Sequence, residues 1–479
     1  MNFRGKNIFI LLIVVLAVGF FGAALGIKVF QSDDANTVNS SISDADSSEG
    51  DSDRVERVQD IIKENYIEDV DDEELTEGAI KGMLETLDDP YSSYMSGEEM
   101  EDFNEEISSS FQGIGAEVSM QDDKVTVIAP IKDSPAEKAG IRPNDQILKV
   151  DDEELEGMDL NEAVSHIRGE KGSEVELLVE RKGVSDPFTV TLTRDDIPVE
   201  TVETDIEEVD GKKTGILEIN SFAETTAEET EDAVDELEDK DIEGLVLDVR
   251  GNPGGLLDSV EDIMDLFVPD DLPYVQIEDR DGDKDKFYSD LEEKKEYPIN
   301  ILIDEGSASA SEILAVALKE NGYDTVGETS FGKGTVQQTV PIDQEEGDTL
   351  KLTNFKWLSP EGNWIHEKGV EPTEEQEQPD YYTVNPLQIE DTLKEDQTDE
   401  QIKTAQIMLT GLDFETDRKD GYFDESTADA VKDFQKEDDL EVTGEIDEET
   451  AGKLETEIIE AIRDGDDDKQ LEKALEVLY

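Results

Sequence analysis

"INILIDEGSASASEILAVALKENGYDTVGETSFGKGTVQQ", Ile299 to Gln338, is the stretch from which the fold is read. Its first five residues, Ile299 to Ile303, are an apolar run of the length of a buried strand. A turn of small residues follows, then a helical period that puts Ile313, Leu314, Ala317 and Leu318 on one inner face. Strand, turn and helix in that order are a unit of an α/β sheet. The second half, Gly327 to Thr335, nearly spells the phosphate-binding loop G-x-x-x-x-G-K-[ST]. That loop should open a helix and carry Ser or Thr after its lysine. Here Gly334 takes the hydroxyl position, and "TVQQTVPI" alternates like a strand and ends at Pro341. Lys333 is therefore read as serving another chemistry.

The turn between strand and helix holds Ser307, Ser309 and Ser311. A serine there is exposed beside the unpaired N–H groups of the helix start, where an oxyanion can be stabilised. Ser309-x-x-Glu312 also reads as a capping box, which needs no chemistry at all. Upstream, "IEGLVLDVRGNPGGLLDSVEDIMDLF" repeats the unit: a strand from Leu245 to Val249, a Gly-Asn-Pro-Gly-Gly turn and a helix. Bare glycine backbone can bring N–H groups close to whatever faces it.

A serine nucleophile needs a base. The chain has no cysteine and only two histidines, His166 and His366. That removes disulfides, thiolate zinc sites and a histidine metal cluster, and leaves a lysine or a carboxylate. Lys333, Thr335 and Gln337 share a face by the two-residue period of a strand. Gln337 could orient the amine, although four extended residues span about 13 Å, so the contact needs long side chains or a bend at Gly334. To act as a base near pH 7–8, the amine must give up roughly 4 kcal/mol of charge stabilisation. Only burial in an apolar pocket can supply this, so no carboxylate, Glu328 included, should reach it.

Composition narrows the setting. The 479 residues carry 128 acidic and 41 basic side chains, a formal net charge of −87. A nucleic-acid partner is disfavoured, because binding would need positive surface. Apolar periodicity through most of the chain after residue 54 argues against disorder. Evenly spread acid suits concentrated salt, where the screening length shrinks to about 3 Å at 1 M.

The N-terminus reads MNFRGKN and then twenty uncharged residues, Ile8 to Ile27. That length spans a bilayer core, and Arg4 and Lys6 before it place residues 1–7 in the cytoplasm and the bulk of the chain outside. A cleaved signal peptide is the competing reading, since Ala24-Leu-Gly26 loosely resembles a cleavage site. An uncleaved signal anchor at 8–27 is expected, with a flexible acidic linker at 28–53. Four folded blocks follow: a helical region at 54–104, short strands around one helix at 105–197, strand–helix–strand units at 198–375 and an acidic helical block at 384–479. The helices at 54–104 could pair two chains into a homodimer.

The second block contains "FQGIGAEVSM", then "SPAEKAGIRPNDQILKVDDEEL". It resembles a PDZ domain over its whole length. That resemblance implies capture of a protein's C-terminal carboxylate by the loop Gly113-Ile114-Gly115-Ala116, the tail adding a strand. Arg168 either senses the peptide or the neighbouring block, or is a solvated charge at a helix end. "GSASASEILA", "GETSFGKGTVQQ" and "DVRGNPGG" together resemble the carboxy-terminal processing, or tail-specific, serine proteases. The resemblance covers residues 54–375 and implies a Ser–Lys dyad: Ser309 as nucleophile, Lys333 as base and Gln337 as its partner. It also implies an oxyanion hole from the N–H of Ala310 with that of Gly254 or Gly255. The interval from Ser309 to Lys333 looks one residue short of many relatives, and His366 matches no catalytic position. The last block, with Asp420-Gly-Tyr-Phe and Thr427-x-x-Ala-Val-x-x-Phe-Gln435, resembles the small helical peptidoglycan-binding domain.

The fold class expected is a multidomain α+β chain. It comprises a PDZ β-sandwich-like domain, an α/β serine protease core of the crotonase or ClpP-like type, a small all-α peptidoglycan-binding domain and an N-terminal transmembrane helix. The expected function is a membrane-anchored endopeptidase acting on exposed C-terminal tails, without cofactor or metal. The alternative is a catalytically silent PDZ scaffold tethered to the cell wall. The charge yields a first prediction: dialysis of the soluble part into dilute buffer should abolish activity and return of salt should restore it, whereas full activity in dilute buffer would refute the saline surface.

Overall fold

Strands Gly244–Asp248 and Ile299–Ile303 are buried at every residue, as continuous apolar runs are when a parallel sheet is covered on both faces. The computed structural model in which they lie describes residues 51–479 apart from 122–123, 152, 156, 185, 344–346, 390, 464 and 466. The expected residues 1–7, the membrane segment 8–27 and the linker up to residue 50 fall outside the described residues. Among the described residues no helix is long and apolar enough to cross a membrane.

The chain divides into two compact units, residues 1–79 and 80–479. In the first, helix Asp51–Asn65 is followed by the start of helix Asp72–Glu85. The second unit holds the remaining blocks. In its PDZ-like block, five strands pair antiparallel in the order Ala116–Gln121, Lys124–Pro130, Gln146–Val150, Glu174–Glu180, Phe188–Thr193. Helices Pro135–Ala139 and Leu160–Ile167 complete it. Inward residues, among them Val125, Val127, Ile147, Leu177 and Val179, make one core.

The central block is a six-stranded sheet in the order Val202–Val209, Lys212–Ile219, Gly244–Asp248, Ile299–Ile303, Asp324–Gly327, Glu374–Glu375. The first pair is antiparallel and the rest parallel. Alternation along the strands sends side chains to two faces. Leu245, Leu247, Ile301 and Ile303 pack with helices Leu257–Phe267 and Ala310–Glu320. Val246, Leu302 and Val326 face the other way and meet Ala474 and Leu478. A second sheet joins Ser93–Met95, Thr349–Leu358, Val275–Glu278 and Lys284–Phe287, with Thr335–Pro341 pairing to Thr349–Leu358.

Two expectations change. Residues 93–95, expected inside a helical region at 54–104, form a strand paired with residues 349–351. Pro90 ends the helical pattern before them, and "SSYM" extends. Residues 469–478, expected inside the C-terminal helical block, form a helix whose Leu471, Ala474, Leu475 and Leu478 cover the sheet. The block's own core, around Phe423, Phe434, Leu409 and Leu454, is closed by helices Glu400–Gly411, Glu425–Glu437 and Glu448–Arg463.

Candidate active site

Two strand-to-helix turns meet at the ends of the buried strands. Three serines look alike in sequence, and their hydrogen bonds separate them. Ser307 is buried and donates to Val249 O at 2.7 Å. Ser311 is buried and donates to Asn252 O at 2.9 Å, where Ala308 N also donates. These two hold the serine turn against the glycine turn. Ser309 lies between them, half-buried, at the cap of the helix and in a capping box with Glu312. Its backbone sits at φ 55° and ψ −110°, a conformation that costs a non-glycine residue on the order of 1–3 kcal/mol and persists only where surrounding contacts impose it.

The glycine turn is bound as tightly. Asn252 is buried, donates to Ile219 O at 2.6 Å and accepts from Gly254 N at 2.8 Å. Gly254 packs directly on the serine: a Cβ there would lie 2.8 Å from Ser309 Cβ and 2.9 Å from Ala310 N. The Gly254 N–H is thus already used by Asn252. Gly255 bridges Phe222 through its neighbours, Phe222 N to Gly254 O and Leu256 N to Phe222 O, so its own N–H turns away from that strand. The N–H groups of Gly255 and Ala310 have no partner among the described residues. Of the two glycines, Gly255 is the one with a donor to offer.

Glu312, read in sequence only as a cap, is the centre of the site. It is fully buried at the third position of the helix. Its Oε2 accepts from Ser309 N at 2.9 Å and from Lys333 N at 2.7 Å. Its Oε1 accepts from Ser330 Oγ at 2.6 Å and Gly332 N at 2.7 Å. One carboxylate oxygen therefore carries the backbones of both Ser309 and Lys333. Capping and site assembly are one arrangement, not alternatives.

Lys333 Nζ makes no ion pair or hydrogen bond among the described residues and stands 5.2 Å from the centre of the Tyr91 ring. Burial first, and the charge of Lys351 second, lower its pKa below the usual lysine value, against the pull of Glu312 and Asp89. Glu328 points elsewhere and accepts from Gln470 at 2.9 Å. The lysine backbone is clamped by aromatic donors: Trp357 Nε1 gives a bond to Lys333 O and Trp364 Nε1 one to Gly334 O, each 2.8 Å. His366 stacks on Trp364 at 4.9 Å and accepts from Gly334 N at 3.3 Å, a packing role.

Gln337 shares a face with Thr335, as the two-residue period expects, although the strand's pairing shifts register between Val336 and Gln337. Its amide donates to Thr335 Oγ1 at 3.0 Å and Thr353 Oγ1 at 3.1 Å. No hydrogen bond among the described residues joins Ser309 Oγ, Lys333 Nζ and Gln337. The backbones of Ser309 and Lys333 are held together through Glu312, and the three side chains are not joined by hydrogen bonds.

Sequence reasoning missed the segment at 89–95. Asp89 accepts from Ser92 Oγ at 2.6 Å and Tyr91 N at 3.1 Å, and Ser92 Oγ accepts from Thr353 N at 3.0 Å. Tyr91 is thereby pinned beside the amine. "DDPYSS" lies more than 200 residues from Lys333 and carried no local sign of this role.

In the PDZ-like block, Ile114 O accepts from Ala136 N at 2.8 Å, and Gly115 O accepts from Ile131 N and Ser134 Oγ at 2.9 and 2.8 Å. These carbonyls face the domain. Gly115 at φ 72° packs on Ser134, where a Cβ would meet Ser134 Cβ at 2.3 Å. Arg168 stays within its own block, with NH1 3.1 Å from Glu105 and the guanidinium 5.0 Å from the Phe111 ring.

Comparison with known proteins defines the class. Residues 213–376 match the model of peptidase family S41, residues 112–192 a PDZ domain and residues 398–454 a putative peptidoglycan binding domain. Residues 13–99 match the activating protease CtpB N-terminal domain. The carboxy-terminal processing protease CtpB of Bacillus subtilis is 48% identical over 98% of this chain and 99% of its own. The carboxy-terminal processing protease CtpA of the same organism is 43% identical over 92% and 94%. Among solved structures, a photosystem II D1 C-terminal processing protease aligns with 29% identity and a TM-score of 0.41, covering 67% of this chain and 86% of its own. The chain belongs to peptidase family S41, as a carboxy-terminal processing serine protease with a PDZ domain and a helical C-terminal domain.

Glu312 provides a sharp prediction. In Glu312→Gln one oxygen and one NH2 group must face four donors, so at least two donors lose their acceptor. The expected loss is roughly 2–5 kcal/mol of stability by urea unfolding, with kcat falling further than the residual folded fraction accounts for. Unchanged kcat would remove Glu312 from the site.

Proposed function

We propose that this protein is a membrane-anchored endopeptidase, held outside the cytoplasm by residues 8–27, that takes protein C-terminal tails on its PDZ domain and cleaves them with a Ser309–Lys333 dyad. The observation that carries the reading is the shared Glu312 oxygen, which fixes Ser309 at an open helix start next to an unpaired, half-buried lysine. Ser309 Oγ attacks the scissile carbonyl while the neutral Lys333 amine takes the hydroxyl proton. The N–H groups of Ala310 and Gly255 receive the oxyanion. Lys333 then gives the proton to the leaving amine, and an acyl-enzyme remains. Water, deprotonated by the same amine, releases the acid. Gln337, whose carbonyl oxygen is not used in its bonds to Thr335 and Thr353, orients the amine after a rotation of the lysine side chain. The helical domain that begins near residue 384 and closes with helix Glu448–Arg463 ties the enzyme to peptidoglycan, and the acidic surface suits a saline exterior.

A specific observation favours the silent scaffold as second reading: Ser309, Lys333 and Gln337 are not hydrogen-bonded to one another. Incubation in high salt with a protein bearing an apolar C-terminal tail separates the two. Cleavage by the wild type, absent in Ser309→Ala, supports the protease; equally intact tails in both support the scaffold. A trapped ester on Ser309, seen as a mass increase of the intact chain, would identify the acyl-enzyme.

The pH dependence has a determined sign. The amine works when neutral, so kcat should rise with pH through a value below that of free lysine and then level off. Because the folded value lies below the unfolded one, the unfolded chain binds more protons between them, and stability should also rise with pH across that window. Lys333→Met should abolish activity and remove this rise, leaving the variant at least as stable as the wild type at neutral pH. A rise that persists in Lys333→Met would assign it to another group.

A further inference from the structure

The helix Lys469–Leu478 follows the peptidoglycan-binding-like domain in the chain but packs on the peptidase sheet. Asn300 donates to Ala474 O at 2.7 Å, and the Tyr479 and Thr214 hydroxyls lie 2.8 Å apart. Gly244 makes room for the end of the chain, since a Cβ there would lie 2.7 Å from Leu478 Cδ2. The start of this helix touches both loops of the active site. Asp468, its buried cap, accepts from Arg250 NH1 and NH2, each at 2.9 Å. Arg250 is the first residue of the turn that ends in Gly254 and Gly255, and its other edge is held by Asp248 at 2.5–3.0 Å. Gln470 is buried and accepts from Arg250 NH1 at 3.3 Å. It donates to Glu328 at 2.9 Å and Gln376 O at 3.0 Å. Glu328 opens the loop that leads to Lys333, and its N–H is bound to Ile303 O at the entry to the serine turn.

We propose that Asp468 and Gln470 are positioning residues of the peptidase site: the last helix holds the oxyanion turn through Arg250 and the lysine loop through Glu328. The proposal rests on the assignment of those two loops to catalysis made above. Asn252 and Glu312 hold the same loops from inside, so each is braced on two sides. A guanidinium with a forked partner on either edge has little freedom to rotate. Removing Asp468 leaves Arg250 tied to its own strand end and, by one long bond of 3.3 Å, to Gln470, and the turn gains freedom where its N–H must meet an oxyanion. Misplacement on the scale of 1 Å can cost about a hundredfold in rate. The last ten residues are then a part of the catalytic domain that the chain supplies only after the wall-binding-like domain has been made.

The test uses the full chain with Asp468→Ala, Asp468→Glu, Gln470→Ala and, on the same helix, Lys473→Ala, whose side chain is partly exposed and 3.7 Å from Glu374. On a tail peptide, Asp468→Ala should lower kcat by about ten- to a hundredfold with KM within about twofold. Affinity for a peptide aldehyde, which forms an oxyanion on Ser309, should weaken by the same factor. Asp468→Glu should restore part of both, and Lys473→Ala should change neither. A fall in melting temperature with unchanged kcat and aldehyde affinity would overturn the proposal. A second measurement needs no turnover: amide hydrogen exchange in a Ser309→Ala background. Faster exchange at 251–255 in Asp468→Ala, and at 328–333 in Gln470→Ala, supports it, and unchanged exchange overturns it even if the protease reading stands. Should the wild type prove inactive while exchange responds, the protease reading fails and the positioning role survives.

Discussion

A buried carboxylate with no ion-pair partner among the described residues is the constraint on which the site depends. Glu312 is removed from water, and such an anion persists only if hydrogen-bond donors replace its hydration. Three backbone N–H groups and one hydroxyl do so, drawn from the serine turn and from the lysine's loop. Because three of these donors are main chain, the relation of the Ser309 and Lys333 backbones depends on one side chain, that of Glu312. The same anion acts on Lys333 in the other direction, since its charge favours the ammonium. The structure answers with burial and with Lys351, which act in the opposite direction. Four dipoles aimed at Glu312 also absorb part of its field before it reaches the amine.

The apolar strands and the small-residue turns are legible in sequence because burial on both faces of a parallel sheet favours short runs rich in Val, Ile and Leu, here broken only at Gly244, Asp248 and Asn300. The choice among three serines is less so. Ser307, Ser309 and Ser311 share residue type and spacing, and only the partner of each hydroxyl tells them apart. The two glycines differ likewise through Asn252, whose amide consumes one N–H and leaves the other. Gln337 shows how far periodicity reaches: its side chain meets that of Thr335 on one face, as the two-residue period expects, in spite of the register shift at 336/337, while no hydrogen bond among the described residues carries it on to Lys333.

What sequence could not reveal is contact at long separation. Tyr91 reaches Lys333 through a strand that pairs with residues 349–351, and nothing in "DDPYSSYM" names that partner. The last helix makes the point more strongly. Its stripe of Leu471, Leu475 and Leu478 announces a buried face, but an amphipathic pattern does not say which apolar surface it covers. Adjacency favours the helical bundle just before it. The choice falls on the sheet because Val246, Leu302 and Val326 form an apolar face that the other helices leave open, and because Gly244 gives the space.

The net charge bears on chemistry as well as on solubility. A chain of −87 surrounds Lys333 with a field that favours protonation at every distance. Local burial lowers the amine's pKa by excluding water, which salt does not change; the surface field raises it through solvent, which salt screens within about 3 Å at 1 M. The two therefore separate with ionic strength. In dilute buffer the surface opposes the pocket, and in concentrated salt the pocket acts nearly alone. The same acidity makes each interior cation scarce, with 41 basic residues in the whole chain, and Arg250 is placed where one guanidinium links the sheet, the glycine turn and the last helix. Salt that screens the surface leaves this buried fork almost untouched, so the frame of the site and the titration of Lys333 answer to different parts of the protein.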